Sequence, residues 1–217
     1  EANTLTIDVG SSEVEFNGIV GGAANGGLGA ISITGALNLD AAIISAASLS
    51  VSTTTNLAAD VTTTGTQTYG DGISSGAVVL STDVTLTTTD SNITFNGTVR
   101  SDSAGTPRDL TINLDANNTG STTADVIING IVGGASLPLD VITITGDLDL
   151  NSSIGNSPGA TSITVSGDAN LGADVETTGT QTYSGAVTIS NDITLTTTDS
   201  NITFGSTVDG DGTARDL

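Results

Sequence analysis

The sequence repeats itself, and this self-similarity constrains the fold more than any other feature. The segment TLTTTDSNITF at Thr85 to Phe95 returns unchanged at Thr194 to Phe204. Three shorter segments also recur 107 to 114 residues apart: TGTQTY at Thr64 and Thr178, IVGGA at Ile19 and Ile131, and RDL at Arg108 and Arg215. The 217 residues therefore divide into two long repeats, approximately 1–110 and 111–217, within one continuous array. Because both ends lie at a similar phase of the repeat, we expect the chain to be an excerpt of a longer one.

A shorter unit lies inside the long repeat. Its core is a five-residue pattern that consists of a hydrophobic residue, any residue, Gly, any residue and a second hydrophobic residue. Examples are FNGTV at Phe95 and ITGDL at Ile144. Most units begin about 19 residues after the previous one, a period typical of solenoids. Two longer gaps are interpreted as insertions, one around Asp71 to Ser75 and one from Arg100 to Asn118.

Each unit alternates apolar and polar residues, which predicts half-buried strands. For example, one side of the strand would carry Ile142, Ile144 and Leu148, and the other side would carry Thr143. The Ala-rich stretch 41–49 is the one place with helix propensity, but it is short and lacks a cap, so we expect strand or coil. We predict an all-β chain folded as a parallel β-solenoid, with coils of about 19 residues, a Gly where each coil turns, and Thr and Asn ladders between coils. The alternative is a pair of β-sandwiches, one per long repeat, which the shorter period disfavours.

The amino-acid composition argues against several classes of function. Only three arginines oppose 24 acidic residues, giving a net charge of −21, which argues against nucleic-acid binding and against docking on anionic membranes. No apolar run is long enough for membrane insertion. The chain contains no Cys or His, and its carboxylates are spread over turns, so the sequence indicates no enzyme.

The FNGTV, TGTQTY and TLTTTDSNITF units resemble the repeat regions of filamentous-haemagglutinin-like exoproteins and autotransporter-type bacterial surface adhesins. The resemblance is one of repeat style over essentially the whole chain. It implies a right-handed parallel β-helix that is exported as part of a very long chain.

One cation site is a candidate. Asp209, Asp211 and Asp216 lie in a DGDGTARD segment, where alternate aspartates separated by Gly can surround a calcium ion. The segment lacks the bidentate Glu of a full calcium loop, and a solvated turn is the competing interpretation. No cofactor is otherwise required.

Threonine runs raise a further hypothesis, ice binding, in which hydroxyl and methyl groups form a regular array. Thr85, Thr87 and Thr89 alternate in this way, but such an array needs the same pattern on one face of every coil. The units vary in length and in outward residue, so the sequence disfavours this hypothesis.

These observations lead us to expect an extracellular structural or adhesive protein that forms a stiff rod or filament on or outside a bacterial cell. Its partners would be copies of itself or flanking repeats of the same chain, joined end to end, or surface glycans on host or neighbouring cells. The alternatives are a stalk that displays a separate binding tip and a carbohydrate-active β-helix enzyme.

Overall fold

The computed structural model describes residues 3–22, 27–73, 76–118, 123–155 and 157–212. In these residues the chain forms a β-solenoid of about 9 turns, with successive coils about 21 residues apart. The predicted fold class is confirmed. The mean coil is somewhat longer than the basic unit of about 19 residues because several coils contain insertions.

The described strands are short, apart from the first three. A 3₁₀ turn, Gly134–Ser136, is the helical element that the structure describes. The strands are β1 (Leu5–Phe16), β2 (Leu28–Leu39), β3 (Ile43–Val51), β4 (Thr55–Leu57), β5 (Val61–Thr63), β6 (Gln67–Tyr69), β7 (Val78–Leu80), β8 (Val84–Thr87), β9 (Ile93–Phe95), β10 (Val99–Ser101), β11 (Leu110–Asn113), β12 (Asp125–Ile128), β13 (Val141–Thr145), β14 (Asp147–Leu150), β15 (Ser162–Val165), β16 (Ala169–Leu171), β17 (Val175–Glu176), β18 (Gln181–Tyr183), β19 (Val187–Ile189), β20 (Leu195–Thr196), β21 (Ile202–Phe204) and β22 (Val208–Gly210).

Each turn has three strand positions, and strands at the same position pair in parallel from one turn to the next, forming three faces. Face 1 contains the first half of β1 and β2, the second half of β3, and β6, β9, β12, β14, β16, β19 and β22. Face 2 contains the second half of β1 and β2, then β4, β7, β10, single bridges at Val132 and Ile154, β17 and β20. Face 3 begins at Val20 and continues through the first half of β3, β5, β8, β11, β13, β15, β18 and β21.

The three faces enclose one hydrophobic core. As the alternation predicts, Ile142, Ile144 and Leu148 are buried while Thr143 points outward. The Ala-rich stretch is the strand β3, which confirms that it is not a helix. The core is mostly aliphatic, and four aromatic rings stack in two pairs, Tyr69 on Phe95 and Tyr183 on Phe204.

The coils differ in length because residues are added at the corners. Leu49 pairs with Gln67, 18 positions later, whereas Ile93 pairs with Val126, 33 positions later. Of the first predicted insertion, the described residues Asp71 to Ile73 lie between β6 and β7, as expected. The second prediction is wrong as stated, because the segment from Arg100 to Asn118 contains the end of β10 and all of β11. The corners therefore absorb the length variation while the paired strands remain in register.

Glycines stack where the chain turns between faces 1 and 2. A Cβ atom on Gly130 would overlap the carbonyl oxygen of Gly97, and a Cβ on Gly97 would overlap that of Gly76. Three successive coils therefore approach each other too closely for any side chain at this corner. The predicted role of these glycines is confirmed.

The alternative of paired β-sandwiches is wrong. Sandwiches of the immunoglobulin type are built from antiparallel strands. In the described part of the chain, every strand pairs in parallel, and the antiparallel pairing found there is a single bridge from Thr89 to Asp115. No helix among the described residues is long and apolar enough to cross a membrane.

Candidate functional surfaces

Many of the acidic side chains are used at corners, where they bond to the coil stacked next to them. The backbone N–H of Asp168 donates to the Asp147 carboxylate at 2.8 Å, and the N–H of Ala186 donates to the Asp168 carboxylate at 2.8 Å. The same bond recurs from Thr85 to Asp60, Asp109 to Asp83, Val141 to Asp109 and Thr194 to Asp174. Four of these N–H groups directly precede a strand, and those of Thr85 and Val141 lie at the start of one. The carboxylates supply the acceptor for each of them. This part of the acidic composition thus stabilises the stacking of coils.

This arrangement places like charges close together at the corner that leads into face 1. Partial burial and the neighbouring carboxylates of Asp147 and Asp149 raise the pKa of Asp125. Burial also raises the pKa of Asp147; the N–H of Asp168 opposes this effect, and the Asp168 carboxylate reinforces it. The ionised form of each group is therefore destabilising in the folded state.

Asparagines form the predicted ladder on a neighbouring corner. The amide of Asn129 donates to Asn96 at 2.9 Å, and that of Asn151 donates to Asn129 at 3.1 Å. This ladder connects three successive coils without adding charge.

The candidate calcium site is described only in part. Asp209 is exposed on face 1, opposite Thr188, and the N–H of Asp211 donates to the carbonyl of Ile189 at 3.1 Å. Asp216 lies outside the described residues. Among the residues that are described, no three His, Cys, Asp or Glu side chains are grouped to hold a metal. Calcium binding at Asp209, Asp211 and Asp216 stays a prediction.

The TGTQTY segments form a buried polar cluster in the core. Gln67 donates from its side-chain amide to the carbonyls of Val61 and Thr87 and to the Thr63 hydroxyl, and it accepts from the Tyr69 hydroxyl at 2.9 Å. Gln181 makes the same set of bonds in the second copy. Burial raises the pKa of both tyrosines. The motif is a structural element in which the buried amide of Gln67 and the buried hydroxyls of Tyr69 and Thr63 all have partners.

The two copies of the long repeat lie on different faces. Gln67 to Tyr69 are on face 1, whereas the identical Gln181 to Tyr183 are on face 3. Counting the bridges at Val132 and Ile154, fourteen strand positions separate the copies, which at three per turn is about 4.7 turns. Each long repeat therefore rotates the repeated surface by one face.

Face 3 presents a row of threonines that the sequence does not make obvious. Six threonines are paired residue to residue across six successive coils, and all point away from the core. They are Thr85, Thr111, Thr143, Thr164, Thr182 and Thr203. We call this set the threonine row.

A second outward position lies two residues after each threonine. It is occupied by Thr87, Asn113, Thr145, Ser166, Ser184 and Gly205. Neither set contains a charged residue, although the chain as a whole has a net charge of −21. Three corner aspartates, Asp60, Asp83 and Asp109, lie beside the first two coils of the row, and their carboxylates accept hydrogen bonds from backbone N–H groups. The threonine row and the column beside it thus form a neutral strip on a strongly acidic protein.

In comparisons with family models, with curated proteins and with solved structures, nothing matches this chain.

The predicted Thr ladder is present as the threonine row. Sequence reasoning did not locate it, because whole units of different length were compared. The signal lies in the strands alone: the segments TLT, TIN, TIT, TVS, TYS and TFG each begin with Thr, followed by one inward apolar residue. Aligning these segments, with the corner residues left out, brings the threonines into register.

Proposed function

We propose that this chain is a structural segment of an extracellular bacterial protein, a stiff rod that projects from or assembles outside the cell. The observation that carries the proposal is the continuous stacking of all three faces around one core. About 9 turns at about 4.8 Å each give a rod about 43 Å long. Every coil is bonded to the next along three faces, so the rod resists bending as a unit.

The repeat geometry supports growth of the same rod by further repeats. Each long repeat contributes a fixed fourteen strand positions, and the local bonds of the TGTQTY cluster are reproduced in both copies. A solenoid of this kind lengthens by adding repeats without any change in its cross-section. The resemblance of the units to those of exported bacterial adhesins motivates the extracellular placement.

The outermost described coils favour end-to-end contacts. Within the described residues β1 pairs only with β2, and β22 only with β19. Their inward residues Leu5, Ile7 and Val208 remain partly or fully exposed. An open strand edge of this kind is a template for another parallel strand. Flanking repeats of the same chain or a second copy of it would provide that strand.

Negative-stain electron microscopy of the purified chain tests the proposal. Rods about 43 Å long, alone or joined into thin fibres of the same width, support it; compact particles without an axis contradict it. Adding a calcium chelator tests the candidate site at Asp209 and Asp211. Fraying of the rod ends when the chelator is present would support calcium binding there. Antibodies against the rod should label intact cells that express the parent gene, and labelling only after lysis would contradict the extracellular placement.

A further inference from the structure

The hydroxyls of the threonine row differ from those that the solenoid uses internally. For example, the hydroxyls of Thr63, Thr88 and Thr177 donate to backbone carbonyls at 2.6 or 2.7 Å. Within the described part of the chain, none of the six threonine hydroxyls of the row makes a hydrogen bond. Their hydroxyl and methyl groups are available to whatever lies against face 3.

The spacing of the threonines is regular along the solenoid axis. Parallel pairing sets the threonines about 4.8 Å apart along the solenoid axis, and the second outward position lies about 6.6 Å away along each strand. The row extends over six coils, five steps of about 4.8 Å, or about 24 Å. Face 3 therefore presents a regular row of threonines beside a second column that carries hydroxyls at Thr87, Thr145, Ser166 and Ser184. This arrangement fits a periodic surface better than a single small molecule.

The composition of the face excludes most periodic surfaces. The array is neutral, so it offers neither cations for phosphate or anionic polymers nor carboxylates for a mineral surface. Flat glycan chains are usually held by exposed aromatic rings. Here both tyrosines are buried, and Phe95 and Phe204 stack against them on the inner side. What remains is an uncharged, rigid, hydrogen-bonding lattice with repeat distances of a few ångströms.

We propose that face 3, along the threonine row from Thr85 to Thr203, binds ice. The hydroxyls hydrogen-bond to water oxygens, and the methyl groups between them favour ordered water over bulk water. The oxygen lattice of hexagonal ice repeats in two directions on the same scale as the array. This inference concerns one face and does not depend on where the rod is located, so the two proposals can fail separately.

The test uses the 217-residue chain in two assays, partitioning into a slowly growing ice shell and inhibition of ice recrystallisation. The first variant carries Thr143→Lys and Thr164→Lys, two paired positions at the centre of the row. The matched control carries Asn38→Lys and Asn56→Lys, two paired outward positions on face 2. Both variants gain the same charge on adjacent coils, and far-UV circular dichroism verifies that both are folded.

We expect the unmodified chain and the face 2 variant to enter the ice fraction and to slow recrystallisation. The face 3 variant should be excluded like a non-binding protein. If the double variant is unfolded, Thr111→Lys and Thr182→Lys, made singly on separate coils, serve the same purpose. Exclusion of the unmodified chain from ice, or an equal loss in the face 2 variant, would overturn the proposal.

Discussion

Placing a carboxylate at Ile144 tests the inward face of the solenoid. This side chain is 1% exposed and lies on face 3 between Ile112 and Val165 of the adjacent coils. Ile144→Asp removes about 1.5–3 kcal/mol of hydrophobic burial. The new carboxylate must also be protonated to remain inside, which at pH 7 costs about 1.36 kcal/mol for each unit above a pKa of about 3.9, or about 4 kcal/mol. The expected loss of unfolding free energy is therefore about 6 kcal/mol at pH 7.

The pH dependence separates burial from a general disturbance of the strand. Burial raises the folded-state pKa of the new carboxyl. The free-energy cost of protonating it is therefore absent below the unfolded-state pKa and grows as pH rises above that value. Relative to the unmodified chain, the loss should shrink to about 2–3 kcal/mol near pH 4. Urea unfolding followed by circular dichroism measures both values. Thr143→Asp, one residue earlier and outward, is the control and should change stability by about 0.5 kcal/mol or less. Equal losses at the two positions, or a loss independent of pH, would refute the assignment of the inward face.

Three further substitutions test the corners and the buried cluster. Asp147→Asn keeps an acceptor for the Asp168 N–H and removes a charge beside Asp125. The pKa of Asp147 is raised in the folded state, so its ionised form is unfavourable there. At pH 7 the variant should therefore unfold at a higher urea concentration than the unmodified chain, and at about pH 3 the two should unfold at the same concentration. A lower midpoint at pH 7 would contradict this. Gly130→Val should prevent close stacking on Gly97 and lower the free energy of unfolding by several kcal/mol. In the control Gly105→Ala, the new Cβ meets only the Ser103 hydroxyl at 3.8 Å, so stability should hardly change. Thermal unfolding compares the two variants, and equal midpoints would argue against the glycine stack. Gln67→Leu leaves the Tyr69 hydroxyl and the Thr87 carbonyl without this partner, so the free energy of unfolding should fall by about 1–3 kcal/mol. Gln181→Leu should cause a similar loss, and urea unfolding measures both. Unchanged stability in both variants would show that the cluster is not stabilising.

Local features of the fold were accessible from the sequence because they depend on short segments. Alternation fixes which residues of a strand point inward, and it correctly placed Ile144 in the core and Thr143 outside. A glycine at a fixed place in each unit indicated the corners, since close backbone approach leaves no room for a side chain.

Relations between coils were not accessible in the same way. The number of residues at each corner is not fixed by strand chemistry, so turns of 18 and 33 residues occur in one solenoid. An offset between repeat copies therefore does not reveal whether they share a face, and the rotation of TGTQTY from face 1 to face 3 emerges only from the strand register. The hydrogen bonds of the corner aspartates were not accessible either, because the N–H group that donates to each carboxylate belongs to a different coil.

The strand register of face 3 is the central claim, and a pair of spin labels measures it directly. The chain contains no cysteine, so Thr85→Cys and Thr203→Cys give two unique labelling sites that are 118 residues apart in sequence (203 − 85) and on the same face. Five coil steps of about 4.8 Å place their Cα atoms about 24 Å apart. Double electron–electron resonance should give one narrow distance distribution at that value, lengthened only by the label arms. A broad distribution, or a distance incompatible with five steps, would contradict the solenoid register.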